Sequence, residues 1–109
     1  MKDLFVYIVT NERRTTLYIG VTNDLQARVW NHRHGEGSAF TKRYHLGVLI
    51  YYEVSPEPLA AIAREKQLKG WTRAKKEALI ATINPQWRDL GAELFQQHPA
   101  PTFPTRPPA

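Results

Sequence analysis

The chain has 109 residues, 42% of them hydrophobic, which is enough for one domain with a single hydrophobic core. Fifteen Lys and Arg against ten Asp and Glu give a formal net charge of +5. That balance favours a polyanionic partner, most often nucleic acid, about as much as a basic surface that serves only solubility. There is no cysteine, which excludes disulfides, cysteine-ligated zinc and thiol catalysis.

The two ends of the chain set the expected domain limits. The apolar run at residues 4–9 is too short for a signal sequence or a membrane span, and polar residues follow it at once. We therefore expect a soluble, cytoplasmic protein without membrane contact. Residues 1–95 are expected to form a single domain, and the proline-rich residues 96–109 a disordered tail, because that tail has almost nothing to bury.

A β-hairpin opens the predicted fold. Residues 4–10 are apolar and rich in β-branched side chains, as is typical of a buried strand, and residues 16–21 form a second strand. The short polar turn between them predicts antiparallel pairing. Because strand side chains alternate between faces, Tyr7 and Tyr18 face the same way in one register, and the sequence leaves the register open.

A helix is predicted next, with Asn23 as its N-cap and Asp24 in its first turn. Arg28 and His32 are four residues apart and therefore lie one above the other on one helix face. The helix is expected to end near His34-Gly35, where loop residues begin. Residues 38–46 are then expected to be an irregular connection.

A third strand is predicted at residues 47–54, and Ser55-Pro56 is typical of a helix start, with serine as the N-cap and proline at the first helical position. That helix should run to about Lys69-Gly70. The fold class is therefore α/β: a small three-stranded antiparallel sheet flanked by helices. The remaining signals are a Thr72 cap for a helix over 73–83, a stop before Asn84-Pro85, and an apolar contact between Trp87 and Leu90.

Most enzyme classes lack support in this sequence. No two of the ten acids have a spacing that places two carboxylates on one metal-binding face, which argues against a site with two metals. His32 and His34 make a poor zinc signal without cysteine or a second histidine pair. Neither serine lies in a nucleophile-elbow pattern, and no phosphate-binding glycine loop or dinucleotide motif is present.

The remaining candidates are a tyrosine pair, an Arg/His helix face and Glu65, which lies in an apolar row with aliphatics one turn on either side. Each has a purely structural interpretation when taken alone. Tyrosines in strands usually pack, Arg28 and His32 suit an exposed helix face, and Glu65 can pair with Lys69 at i+4. The basic residues between 64 and 76 fit a solvated face as well as a surface that follows phosphates.

Taken together, these residues resemble the GIY-YIG nuclease domain, and most of all its small stand-alone bacterial members. The resemblance covers about residues 4–91, in order and without large insertions. The family's first motif is degenerate, because Phe5 stands where glycine is usual, and its second motif is intact. The matching residues are Phe5-Val6-Tyr7, Tyr18-Ile19-Gly20, Arg28, His32, Glu65 and Asn84.

The resemblance implies a metal-dependent endonuclease that hydrolyses DNA phosphodiester bonds. Glu65 would hold a single divalent cation, Mg²⁺ or Mn²⁺, and Arg28 would clamp the scissile phosphate. Tyr7 is assigned as the general base, with Tyr18 and His32 orienting it or relaying protons; exchange of the two tyrosine roles stays open. Since unperturbed tyrosine is ionised to only about one part in a thousand at pH 7, we expect Arg28 or the metal to lower the pKa of the base.

Other residues receive lesser roles. Asn84 is expected to support either the Glu65 side of the site or the local turn, and Lys42 and His34 are weaker supporting candidates. The expected nucleic-acid contacts are Lys42, Arg43, Lys66 and Lys69. The substrate is expected to be DNA, branched or damaged DNA included, with repair or recombination as the process and a protein partner that supplies specificity. The alternatives are a non-catalytic nucleic-acid-binding module with the same fold and an ordinary basic soluble domain.

Overall fold

The computed structural model describes residues 3–35 and 39–97, which form three strands and five helices. Residues 1–2, residues 36–38, the side chains of residues 95–97 and the remainder of the predicted tail, from residue 98 onward, lie outside the described part. In chain order the elements are β1 (Leu4–Thr10), β2 (Leu17–Thr22), α1 (Leu25–Arg33), α2 (Ala39–Tyr44), β3 (Val48–Ser55), α3 (Pro58–Lys69), α4 (Arg73–Ala81) and α5 (Leu90–Gln97).

The sheet has the order β2-β1-β3, with both pairings antiparallel, so β1 is central and β2 is an edge strand. This confirms the α/β class and all three predicted strands. The register places Tyr7 opposite Gly20 and Val9 opposite Tyr18. Residues directly opposite each other share a face, so Tyr7 and Tyr18 lie on the same side of the sheet.

Helices cover both faces of the sheet, and the alternation along β1 divides the core between them. Val6 and Ile8 pack with Leu68 of α3 and Ile80 of α4 on one face. Tyr7 and Val9 point to the other face, where their cluster is completed by apolar residues of α1, α5 and β3: Leu25, Val29, Leu49, Leu90 and Leu94. β1 is therefore buried on both faces, as its continuous apolar run predicts.

Two of the predicted helix starts are wrong by one or two residues. The N-cap of α1 is Asp24 and not Asn23, because the Asp24 carboxylate accepts a hydrogen bond from the Ala27 amide at 3.1 Å. α3 begins at Pro58, with Glu57 at the cap position. Ser55 does not cap that helix, because it still pairs with Leu4 in the sheet and its hydroxyl accepts a hydrogen bond from the Glu57 amide, ahead of the first helical turn. The Thr72 cap of α4 is confirmed.

Two helices were not predicted. The expected irregular connection contains α2, whose Thr41 is fully buried, and α5 follows the turn after α4. The expected contact between Trp87 and Leu90 is also wrong, since these residues belong to hydrophobic clusters on opposite faces of the sheet. The backbone at Trp87 has a φ of 55°, which redirects the chain between them.

Asn84 joins the α4–α5 connection to the sheet. Its side-chain amide donates to the Ile50 carbonyl at 3.0 Å and to the Arg88 carbonyl at 2.8 Å. Its carbonyl oxygen accepts from the Arg88 amide at 3.0 Å. Asn84 is only 2% exposed, so these bonds satisfy backbone groups that water does not reach. Of the two roles expected for Asn84, the hydrogen bonds correspond to the turn.

Over the ranges described, no helix has both the length and the apolar character needed to cross a membrane.

Asn84→Ala should lower the free energy of unfolding by about 2–4 kcal/mol, because it leaves buried backbone groups of Ile50 and Arg88 without partners. Urea unfolding followed by circular dichroism measures this change. Asn23→Ala is the matched control, since Asn23 is exposed and does not cap α1, and it should change stability by less than about 0.5 kcal/mol. Equal stability of the two variants would contradict the role assigned to Asn84.

Candidate active site

The candidate site surrounds the side chain of Tyr7, at the edge of the sheet formed by β2. Tyr7 is fully buried, and its ring lies over Gly20 on the neighbouring strand. A Cβ atom on residue 20 would overlap the hydroxyl end of the Tyr7 ring. Glycine therefore permits a close approach here that no other residue type allows. As a result, the Tyr7 hydroxyl extends across β2 towards α1.

Three aromatic rings from three elements pack against one another in this region. The ring centroids of Tyr7 and Tyr18 are 6.5 Å apart, and the imidazole of His32 lies 5.7 Å from the first and 5.9 Å from the second. These separations lie within the range of aromatic pairs that attract each other. The two tyrosines and the histidine, which the sequence suggested as separate candidates, are thus brought together.

A chain of hydrogen bonds runs from Tyr7 through His32 to Thr41. The Tyr7 hydroxyl oxygen lies 3.0 Å from His32 Nε2, and His32 Nδ1 lies 3.1 Å from the Thr41 hydroxyl oxygen. All three residues are buried. Thr41 was not among the predicted site residues. It lies in the segment predicted to be irregular, and a single threonine nine residues after His32 forms no recognisable motif.

Both ring nitrogens of His32 have a hydroxyl partner, and their roles are linked. A neutral imidazole carries one proton, so one nitrogen donates while the other accepts. When His32 Nδ1 donates to Thr41, His32 Nε2 is left to accept a proton from Tyr7. Thr41 therefore contacts the nitrogen whose proton decides which way the bond between Tyr7 and His32 runs.

Burial keeps both members of the Tyr7–His32 pair neutral. It raises the pKa of Tyr7 to about 12, and the neighbouring Arg28 lowers that pKa only in part, while Tyr18 and Glu65 add to the rise. Arg28 lowers the pKa of Tyr7 in the expected direction, but loss of solvent outweighs this one cation, so the net shift is upward. Burial and Arg28 together lower the pKa of His32 to about 4.

Glu65 reaches the same site from the opposite layer of the fold. It lies on α3, has a side chain only 15% exposed, and its charge acts on the Tyr7 hydroxyl. Its carboxylate binds Lys69 Nζ at 2.8 Å, and that ammonium group lies 5.8 Å from the centroid of the Tyr18 ring. The ion pair predicted as an alternative does form, and it lies beside the tyrosines. Lys69, predicted as a nucleic-acid contact, is therefore a neighbour of the site.

The single carboxylate of Glu65 suits a metal ion that needs few protein ligands. Within residues 3–35 and 39–97 no group of three or more His, Asp or Glu side chains is arranged to hold a metal ion. A protein cage of several ligands is therefore not available there. Glu65 offers a single carboxylate, which fits a hard cation that keeps most of its water and accepts a substrate oxygen, as Mg²⁺ does.

The other predicted residues lie outside this cluster. His34 stacks on Trp30, with ring centroids 4.0 Å apart, on the exposed side of α1. Lys66 is exposed on α3, and Lys42 and Arg43 are exposed on α2. Lys42 lines an open cleft of about 760 Å³ that borders His32 and Thr41. The described bonds of Asn84 are to backbone groups of β3 and of its own turn.

Comparison with known proteins identifies relatives of this chain. Residues 4–78 match the family model described as the GIY-YIG catalytic domain. A UPF0213 protein of Haloquadratum walsbyi is 37% identical over 75 residues, which is 69% of this chain and 83% of that protein. A UPF0213 protein of Staphylococcus aureus (strain Mu3) is 39% identical over 80 residues, covering 73% of this chain and 96% of the relative.

A solved structure shares the fold. The solution NMR structure of a UPF0213 protein from Bacillus halodurans superimposes with a TM-score of 0.52 at 25% identity, covering 80% of this chain and 92% of that one. The segment matched by the family model ends before Asn84. It contains the residues described around Tyr7: Tyr7, Tyr18, Arg28, His32, Thr41 and Glu65. This limit agrees with the separate position of Asn84 in the fold.

The buried neutral His32 makes stability depend on pH. Its pKa is about 4 in the folded chain and about 6.5 when unfolded, so only the unfolded chain takes up the proton between these values. This contribution is complete above pH 6.5 and is lost as the pH falls towards 4, at a cost of roughly 3 kcal/mol at most.

Urea unfolding from pH 4 to pH 7 tests the assignment. The stability of His32→Gln should fall less steeply with decreasing pH than that of the native chain. His34→Gln, which replaces an exposed histidine of the same helix, should follow the native curve. Parallel curves for all three proteins would show that His32 is not buried in its neutral form.

Proposed function

The chain belongs to the GIY-YIG family, and on that basis we propose that it is an endonuclease that hydrolyses phosphodiester bonds in DNA with the help of one divalent cation, Mg²⁺ or Mn²⁺. One observation carries the proposal. The Tyr7 hydroxyl lies 3.0 Å from a neutral histidine, and the charges of both the Arg28 guanidinium and the Glu65 carboxylate act on it. Hydrolysis needs a proton acceptor for water, a cation for the phosphate and a carboxylate for the metal, and this arrangement offers all three.

The first step that we propose is proton transfer through Tyr7 to His32. Because burial raises the pKa of Tyr7 to about 12, a free phenolate is a poor description of the base. Instead, Tyr7 accepts a proton from the attacking water while its own proton moves to His32 Nε2. The low pKa of His32, about 4, means that the imidazolium formed here returns its proton readily. This arrangement supports Tyr7 as the residue nearest the water, and Tyr18 as its packing partner.

Arg28 stabilises the phosphate in the same step. Its planar guanidinium can donate two parallel hydrogen bonds to a phosphate while remaining charged at any relevant pH. Hydrolysis adds negative charge to the phosphate oxygens in the transition state, so a fixed cation at this point lowers the barrier. Lys69, already beside Tyr18 and Glu65, adds a second positive charge on the α3 side of the site.

Glu65 is the residue that would hold the cation. When bound there, the metal supplies positive charge to a phosphate oxygen and assists departure of the leaving oxygen. The role of the chain is to hold the carboxylate at this end of the site, where Lys69 Nζ lies 2.8 Å from it. Repair or recombination as the process served, a cytoplasmic location and a partner that supplies specificity remain predictions from the sequence.

A second candidate function is a binding module with the same fold and no turnover. Two observations favour it: the Tyr7 hydroxyl is protonated at neutral pH, and Glu65 already has Lys69 as an ionic partner. Such a module would bind DNA with a steep dependence on salt and would be indifferent to divalent metal.

The metal site is tested by cleavage of branched, flapped, nicked and plain duplex DNA with Mg²⁺ or Mn²⁺. Glu65→Gln should lower the cleavage rate by at least about 100-fold, because it removes the carboxylate whose charge acts on Tyr7 and which would hold the metal. Glu77→Gln is the matched control, since Glu77 also forms an i,i+4 ion pair, with Arg73 at 2.9 Å, and should retain full activity. Survival of all four substrates with native protein would support the binding module instead.

The role of Tyr7 is tested with a matched pair of buried tyrosines. Tyr7→Phe should lower kcat by about 10²–10⁴-fold with little change in KM, because it removes the group that passes the proton to His32. Tyr51 is also buried, with its pKa raised to about 12, but its hydroxyl donates to Glu53 away from the site. Tyr51→Phe should therefore leave kcat unchanged, and equal losses in both variants would refute the assignment.

A further inference from the structure

A row of aromatic rings leads from the candidate active site to the surface. The ring of Phe40 stacks on that of Tyr18, with centroids 5.9 Å apart and planes inclined by 29°. Tyr44, one turn further along α2, lies 4.8 Å from Phe40. Phe40 is 43% exposed and Tyr44 is 41% exposed, so the outer two rings present apolar surface to solvent. We call Tyr18, Phe40 and Tyr44 the aromatic row.

Cations accompany the outer part of the aromatic row. Lys42 and Arg43 lie between Phe40 and Tyr44 in the sequence and are exposed, and the Arg43 guanidinium lies 5.5 Å from the centroid of the Tyr44 ring. Exposed rings alternating with cations are the surface that binds single-stranded nucleic acid, because bases stack on the rings and phosphates pair with the charges.

An open cleft borders α2 next to the aromatic row. Its volume is about 760 Å³, and Tyr44 and Lys42 line it together with His32 and Thr41 of the site. Arg13, in the β1–β2 turn, lines the cleft. Two acidic residues line it as well: Glu12, in the same turn, and Asp89, which is paired with Arg33. Its size is within the range of pockets that accept small organic ligands, and a nucleotide is of that class.

We propose that the aromatic row is a stacking platform for unpaired DNA bases, so that the preferred substrate has single-stranded nucleotides next to the cleaved bond. Its role in cleavage rests on the proposed nuclease function, whereas its role in binding does not. Bases within a duplex already stack on their neighbours and offer only their edges to a protein. Only an unpaired base can place its face on Phe40 or Tyr44, and the contact of Phe40 with Tyr18 places that base beside the site.

Binding in EDTA tests the platform without cleavage. The probe is a fluorescein-labelled 12-nucleotide oligothymidine, compared by anisotropy with a labelled blunt duplex of 12 base pairs. Since base stacking on an aromatic ring contributes 1–3 kcal/mol, Phe40→Ala and Tyr44→Ala should each weaken binding of the single strand by roughly 5- to 150-fold. The same variants should weaken binding of the duplex by less than about twofold.

Matched variants separate stacking from other causes. Phe40→Tyr and Tyr44→Phe keep the rings and should keep the affinity for the single strand. Lys42→Ala should weaken both probes alike, because a phosphate contact does not depend on strandedness. Leu59→Ala replaces another exposed apolar side chain, 79% exposed on α3, and should change neither. Tyr44→Ala also guards against a folding artefact, because the ring contact of Tyr44 is with Phe40 and not with Tyr18.

The outcomes distinguish this proposal from the proposed function. Unchanged binding of the single strand in both alanine variants, or equal weakening of both probes, would overturn the platform, and the exposed rings would then suit a protein partner. Ring-dependent binding in a protein that cuts no DNA in Mg²⁺ would support the platform and refute the nuclease. Cleavage at the native rate in both alanine variants would support the nuclease and overturn the role of the aromatic row in selecting the substrate.

Discussion

The contact between the Tyr7 ring and Gly20 is the constraint on which the arrangement of the site depends. Because residue 20 has no Cβ, the Tyr7 hydroxyl reaches across the edge strand to meet His32 and Arg28 of α1. The edge position of β2 also lets the charge of Glu65, on the helix layer of the other face, act on the same hydroxyl. A glycine that looks like a turn or motif residue in the sequence is therefore a packing requirement of Tyr7.

Burial decides the chemistry that this arrangement supports. An exposed tyrosine beside a cation would tend towards the phenolate, but in this fold loss of solvent raises the pKa of Tyr7 and lowers that of His32. At neutral pH the pair is therefore a neutral hydroxyl beside a neutral imidazole, without a standing negative charge. The same burial makes His32 a source of acid sensitivity, so the protonation state of the site and the pH dependence of stability have one physical origin.

The short helix α2 serves the site in two directions. Its one buried side chain, Thr41, points inward and hydrogen-bonds His32 Nδ1. Its exposed rings, Phe40 and Tyr44, point outward and extend the aromatic surface that begins at Tyr18. A segment predicted as an irregular connection thus lies between the hydrogen-bonded chain Tyr7–His32–Thr41 and the surface where we expect DNA to bind.

Local patterns in the sequence were sufficient for the three strands, the α/β class and the Thr72 cap, because alternation and capping act over a few residues. The residues around Tyr7 are distant in the chain, and the resemblance to a known family picked them out. Tertiary structure decided the rest. Ser55 does not cap α3 because it is still paired with β1, Asn84 serves a turn because β3 lies beside it, and the segment of α2 buries Thr41 against His32. The pKa of Tyr7 rises for the same reason: burial is a property of the whole fold, and no single stretch of sequence specifies it.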